Sequence, residues 1–285
     1  MKLIDRLHQR VMEKGHVCLG LDTDAAYLPE DFRKGFESDA AAVLAFNKEI
    51  IDSTHDIVAV YKVQIAYYEA MGLAGMETYA KTLAYLREKQ AIIIADVKRG
   101  DIAKTAEMYA AAHFTGDFEA DFITVSPYMG MDTLEPYFPY LATGEKGLFV
   151  LVATSNPGAP DIEGLIADDQ PVYLTVGEKT AKLGEQFAGE CGYSAIGGVV
   201  GCTNSQDTQR IRQRLPGMFF LIPGYGAQGG TASEIAHYLH KGSGGVVNSS
   251  RGILMSWKKP EHAGKSFAAA ARDEAIAMRD DILFF

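Results

Sequence analysis

Apolar residues along the chain follow two alternating patterns. Short runs rich in β-branched residues recur at intervals, and between them apolar residues return every three or four positions. The first pattern predicts buried strands and the second amphipathic helices. A short leading helix covers Met1 to Lys14. Strands are then predicted over 16–22, 57–64, 92–95, 122–128, 147–154, 196–202, 218–222 and 245–248. Helices are predicted over 39–53, 74–89, 102–114, 133–141, 172–190, 205–214, 231–241 and 264–279, with a loop over Thr23 to Asp31. Alternating strand and helix implies a parallel sheet. Eight such units in 285 residues predict an α/β fold, a (β/α)8 TIM barrel with a parallel closed sheet, and one domain over 1–285. An open doubly wound sheet is the alternative, and would need crossovers on both faces.

A closed barrel gives the strand ends meaning, because active sites of such barrels sit at the C-terminal ends of the strands. The third strand runs into Asp96-Val97-Lys98-Arg99-Gly100-Asp101. Side chains alternate along a strand, so Asp96 and Lys98 face one side. Arg99-Gly100 breaks the strand, and Asp101 follows where it can cap the next helix. Two carboxylates thus bracket one ammonium. They favour the charged lysine, which suits it to stabilise developing negative charge and then deliver a proton. Asp22 ends the first strand, and Lys62 lies near the end of the second inside an otherwise apolar run. An unpaired charge there would be costly. Asp22, Lys62, Asp96, Lys98 and Asp101 are therefore expected to form one pocket network; a structural ring of salt bridges is the alternative.

After the seventh strand comes Gly224-Tyr225-Gly226-Ala227-Gln228-Gly229-Gly230, and after the eighth Arg251-Gly252. Glycines let backbone N–H groups approach an anion, and arginine supplies a forked donor. These loops hold phosphate in many barrels of this kind. The formal net charge of −10 argues against nucleic acid or an anionic membrane as partner, and leaves an anionic substrate to local positive groups. Three separated cysteines, Cys18, Cys191 and Cys202, suggest neither a disulfide framework nor a zinc site. The seven histidines have no metal-ligand spacing and read as surface or structural groups. No apolar stretch is long enough to span a bilayer, and Met1 to Gly15 lacks the apolar core of a signal peptide, so a cytoplasmic location is expected. The Ala159 to Gln170 segment, rich in acids and glycine, reads as a solvated loop or part of a lid.

The stretch Asp96 to Ile102 with Thr105, Lys62, Asp22, the Pro223 to Gly230 loop and Arg251 together resemble orotidine 5′-phosphate decarboxylase, over about Val17 to Gly252. Phe46-Asn47-Lys48-Glu49 and Val152 to Gly158 resemble the longer bacterial type 2 members of that family. The resemblance implies conversion of orotidine 5′-monophosphate to UMP and CO2, without cofactor or metal, in the last step of de novo pyrimidine synthesis. It implies that Lys98 protonates C6, that Asp96 lies beside the departing carboxylate, and that Lys62, Asp96, Lys98 and Asp101 form the charged network. Asp22 and Lys62 would touch the ribose hydroxyls. Gln228, Gly229, Arg251 and Gly252 would hold the phosphate, and Ser155 would read the pyrimidine edge. Asp101 and Thr105 would act across a homodimer interface. Related sugar-phosphate enzymes share the D-x-K-x-x-D stretch but carry an acid where Lys62 stands, as a Mg2+ site requires. A Schiff-base aldolase using Lys62 or Lys98, and a non-catalytic phosphate-binding barrel, are the other readings.

Overall fold

The structure, a computed structural model, describes residues 1–202, 205–225, 232–239 and 242–283. Among these, eight parallel strands close into a barrel: β1 (Val17–Gly20), β2 (Val60–Gln64), β3 (Ile93–Arg99), β4 (Phe122–Val125), β5 (Gly147–Ala153), β6 (Ile196–Val200), β7 (Phe220–Pro223) and β8 (Gly245–Ser249). Each pairs with the next, and β8 pairs with β1. Every residue of β1, β4, β6 and β8 is buried, because one face meets the barrel interior and the other the surrounding helices. That two-sided burial is why the sequence shows continuous apolar runs rather than alternation.

The interior is filled by side chains. The rings of Phe122 and Phe149 lie 5.1 Å apart. Gly197 makes room for Phe149: a Cβ there would come within 2.7 Å of its ring. The leading helix, Leu3–Lys14, buries Leu3, Ile4, Leu7 and Val11. It is tied to segments that precede the strands, through Leu3 N to Gly144 O (2.7 Å), Arg6 to Asp121 (3.3 Å) and Cys191 N to Asp5 (2.9 Å). It therefore covers the N-terminal end of the barrel and leaves the C-terminal end for the site. The last helix, Phe267–Leu283, stacks Phe267 on Phe46 of the helix Asp39–Thr54, with ring centroids 4.6 Å apart.

The differences from the predicted elements lie mostly at boundaries. The second strand starts only at Val60, and the fourth stops at Val125: Ser126 N donates to Arg99 O (2.7 Å) as the last rung of the β3–β4 ladder, and Pro127 follows with no N–H to offer. The helix expected over 133–141 is a 3-10 segment, Met131–Tyr137, containing Pro136, followed by one α turn, Phe138–Leu141. The helix after β5 ends at Gly184. Asp101 does not cap the next helix; Ile102 is its N-cap, and Asp101 Oδ1 accepts the adjacent Ile102 N–H (2.8 Å). The segment read as a solvated loop or part of a lid is mostly exposed and contains a 3-10 turn, Ala159–Asp161, and a small antiparallel hairpin, Ile166–Ala167 against Gln170–Pro171. Its turn places Asp168 and Asp169 at φ 50° and 63°, the positive values a two-residue hairpin turn requires.

Candidate active site

Parallel register brings the charged strand ends to one level. Gly20 of β1 pairs with Lys62 of β2, Lys62 with Ile94 of β3, and Gln64 with Asp96. Lys62 is buried among apolar neighbours, where its charge survives only if paired. Its Nζ donates to Asp22 Oδ1 (2.8 Å) and to Asp96 Oδ2 (3.1 Å). Burial works against the ammonium, but Asp22 and Asp96 outweigh it and hold Lys62 above the ordinary lysine range. Asp22 Oδ2 accepts from Ser250 Oγ (2.9 Å). Ser250 reaches it by crossing close over Gly20, where any Cβ would overlap the serine hydroxyl.

Asp96 is the junction of the network. Its Oδ1 accepts Lys98 Nζ (2.6 Å) and Thr124 Oγ1 (2.9 Å); its Oδ2 accepts Lys62 Nζ and Gln64 Nε2 (2.9 Å). Burial favours the neutral acid, yet Lys62 and then Lys98 outweigh it and push the carboxyl down to about 2. Lys98 differs from Lys62 in exposure: its side chain is 48% accessible, against 5%. One lysine is locked in the wall and the other faces the open mouth. Lys98 also sits at φ 44°, in the left-handed region, where a non-glycine residue costs about 1–2 kcal/mol.

Two adjoining cavities open on this network. One, of about 340 Å³, is lined by Asp22, Tyr27, Tyr67, Tyr225, Ser250 and Arg251; the other, of about 300 Å³, by Lys98, Thr124, Leu151, Ser155, Asn156 and Val199. Lys62, Asp96, Pro223 and Asn248 line both. The space is thus bipolar, with a guanidinium at one end and the Lys98 ammonium beside an apolar wall at the other.

Of the residues named from the sequence, Asp22, Lys62, Asp96 and Lys98 are joined as expected, Ser155 and Arg251 line the cavities, and Gly252 follows Arg251 in a short helix. Within its own chain Asp101 lines neither cavity and makes no contact with Asp22, Lys62, Asp96 or Lys98. A strand's alternation stops where the backbone turns at Lys98, so Asp101 is set apart from its own chain's network. Thr105 is exposed on the helix Ala103–Phe114. Gln228, Gly229 and their glycine-rich neighbours from Gly226 lie outside the described residues. The sequence reading missed Gln64, Thr124, Ser250 and Asn248. Thr124 alone carried a signal, a hydroxyl in the apolar run Phe122–Val125. Asn47 holds structure rather than the cavity: its amide accepts from Thr23 (2.7 Å) and donates to Tyr68 (2.9 Å), whose hydroxyl supports Leu21 O (3.2 Å) just before Asp22. Cys18, beneath Asn248, is fully buried, and burial pushes its thiol well above the usual range.

Among the described residues, no group of three His, Cys, Asp or Glu side chains has metal-binding geometry, and no helix is long and apolar enough to cross a membrane.

A closed parallel barrel with a lysine–aspartate relay at its C-terminal mouth and an arginine after the last strand defines the class: a (β/α)8-barrel enzyme. The chain belongs to the orotidine 5′-phosphate decarboxylase / HUMPS family, whose model matches residues 15–267. It is 60% identical over 281 residues to the orotidine 5′-phosphate decarboxylase of Clostridium acetobutylicum, covering 98% of both chains. The enzyme of that name from Clostridium kluyveri is 54% identical over 282 residues, covering 99% of this chain and 97% of that one. Among solved structures, the OMP decarboxylase of Leishmania donovani superposes with a TM-score of 0.78 at 30% identity, covering 100% of this chain and 98% of that one.

Proposed function

We propose that this chain decarboxylates orotidine 5′-monophosphate to UMP and CO2, the last step of de novo pyrimidine synthesis, without a cofactor. The observation that carries the reading is the relay Asp22–Lys62–Asp96–Lys98 facing the bipolar cavity. Arg251, with Gln228, Gly229 and Gly252, receives the phosphate. Asp22 and Lys62 meet the ribose hydroxyls, and Ser155 the pyrimidine edge. That pose sets the C6 carboxylate near Asp96. As the C6–carboxylate bond breaks, its electron pair stays on C6 and CO2 leaves. The carbanion has no adjacent group to delocalise it, so a fixed ammonium is the stabiliser the step needs. Lys98 then gives C6 a proton and is recharged from solvent, which its exposure favours.

The family also holds sugar-phosphate enzymes, and one observation separates the readings. The Lys62 ammonium stands between Asp22 and Asp96, occupying with a fixed cation the carboxylates a divalent metal would need. The same pairing makes Lys62 a poor Schiff-base amine, which must be uncharged to attack. We assign Asp101 and Thr105 to the partner's site in a homodimer. The exposed apolar side chains of Ile102, Met108, Tyr128 and Met129 flank Asp101 or follow the adjacent β4, which suits a covered face. A cytoplasmic enzyme of one barrel domain fits these features.

The test is loss of substrate absorbance when the protein meets orotidine 5′-monophosphate in EDTA. Turnover is expected, and Lys98→Ala is expected to abolish it while UMP binding is largely retained. Absence of turnover that Mg2+ and a pentulose or hexulose phosphate restore would replace the decarboxylase reading. Near-normal turnover by Lys98→Ala would remove the proposed proton donor.

A further inference from the structure

The mouth of the barrel is irregular at one place. β3 and β4 are in register at Ala95–Ile123 and again at Arg99–Val125, but not between. Three residues of β3, Asp96 to Lys98, therefore stand opposite the single residue Thr124. Such a bulge re-aims side chains and leaves backbone groups without their ladder partners. Here the bulge is the segment that carries the relay, and its last member has a left-handed backbone, Lys98 at φ 44°.

The side chain of Thr124 fills the gap. Its hydroxyl oxygen accepts the N–H of Val97 (3.0 Å) and the N–H of Lys98 (2.9 Å). A hydroxyl has two lone pairs and one hydrogen. Both lone pairs are taken, so the hydrogen has one direction left, toward Asp96 Oδ1 at 2.9 Å. That same oxygen receives the Lys98 ammonium. One buried hydroxyl thus fixes the backbone of Lys98 from one side and the carboxylate that aims its ammonium from the other. Thr124 is 1% exposed, and valine would be the ordinary apolar choice of the same shape in a fully buried strand. A hydroxyl at such depth is retained at a cost unless every bond is made, and here all three are.

We propose that Thr124 is the positioning residue for proton delivery, holding the bulge at Val97–Lys98 and the Asp96 carboxylate together so that the Lys98 ammonium points at the reacting carbon. This rests on Lys98 being the proton donor. Thr124 takes no proton and makes no bond to substrate; it acts through Asp96 and Lys98.

The experiment compares Thr124→Val, which keeps the shape and removes the hydroxyl, with Thr124→Ser, which keeps the hydroxyl and removes the methyl. Thr124→Val is expected to lower kcat by about 10- to 100-fold, the scale set by displacing a reacting group by about 1 Å. UMP binding is expected to change little, because Arg251 and Asp22, proposed for the phosphate and ribose, line the other cavity. Thr124→Ser is expected to recover most of kcat. A crystal structure of Thr124→Val is expected to show Lys98 out of its left-handed conformation and its ammonium moved from Asp96 Oδ1. The proposal is overturned by a kcat for Thr124→Val close to that of the unmodified protein, by equal loss in both variants, or by UMP binding falling in parallel with kcat. If the unmodified protein shows no decarboxylation, the functional reading fails by itself. The positional claim is then decided by the crystal structure alone: an unmoved Lys98 overturns it and a displaced one upholds it.

Discussion

Asp96 would not remain ionised at 6% exposure without its donors; two ammonium groups, an amide and a hydroxyl share its two oxygens. The next arginine is supported differently. Arg99 Nε donates to His113 Nε2 at 3.4 Å, which requires that nitrogen to be unprotonated. Burial, and then the Arg99 charge, lower His113 to about 4. The sign follows from linkage. Below about pH 6.5 the unfolded chain binds a proton at this histidine that the folded chain refuses until about pH 4, so stability is complete above that window and falls as pH drops through it. The expected loss is about 3 kcal/mol across the window. Asp96 adds a separate loss only at lower pH, between the ordinary carboxylate value and about 2. Thermal melts of the unmodified protein and His113→Gln from pH 7 to pH 4 test this, with a shallower decline expected for the variant. The acid and base residues of the relay were legible in the sequence because buried charge is conspicuous in an apolar run. Gln64 was not, because its role depends on a partner in another strand; the Thr124 hydroxyl stands out in its apolar run, but its partners on β3 do not.

At the scale of elements, the segment after β5 shows how a site wall is held. Thr154 follows that strand, and its N–H donates to Glu163 Oε2 at 2.7 Å. Its hydroxyl lies 2.7 Å from Glu163 Oε1 and 2.6 Å from Asn156 Oδ1, and its single hydrogen serves one of them at a time. Glu163 is itself fixed by its backbone, whose carbonyl accepts from Tyr173 N at 2.9 Å. The ordered turn and hairpin thus reach back to the stretch that lines the cavity beside Ser155. Glu163→Ala removes both acceptors and leaves the Thr154 N–H without its carboxylate partner. A rise of about tenfold in KM, equivalent to about 1.4 kcal/mol, is expected with little change in melting temperature. Steady-state kinetics check it, and an unchanged KM would mean the wall is held by other contacts. The composition of Ala159 to Gln170 concealed this, since an acid in a glycine-rich loop looks the same whether it faces water or a backbone N–H. The strands were legible because apolar, β-branched runs bounded by turn residues have few other solutions. Their ends were not, because where pairing stops depends on partners such as Arg99 O at Ser126.

At the scale of the whole molecule, the chain carries a net charge of −10 yet gathers Lys62, Lys98 and Arg251 at one mouth, so a phosphorylated substrate meets local rather than global attraction. The same mouth is incomplete if Asp101 belongs to a neighbour's site. Among the described residues of its own chain that carboxylate accepts only the Ile102 N–H and lies away from the relay, while Ile102 beside it is 53% exposed. A twofold dimer that covers this edge would bring Asp101 to the partner's Lys98, with each subunit serving the other alike. Mixing two inactive variants decides the matter. In a heterodimer of Lys98→Ala with Asp101→Ala, sharing across the interface puts both lesions in one site and leaves the other intact. Random exchange makes about half of the dimers mixed, so about a quarter of the sites, and of the activity, should return. If Asp101 serves its own chain, every site keeps a lesion and nothing returns. Native mass spectrometry confirming mixed dimers makes the second outcome as decisive as the first.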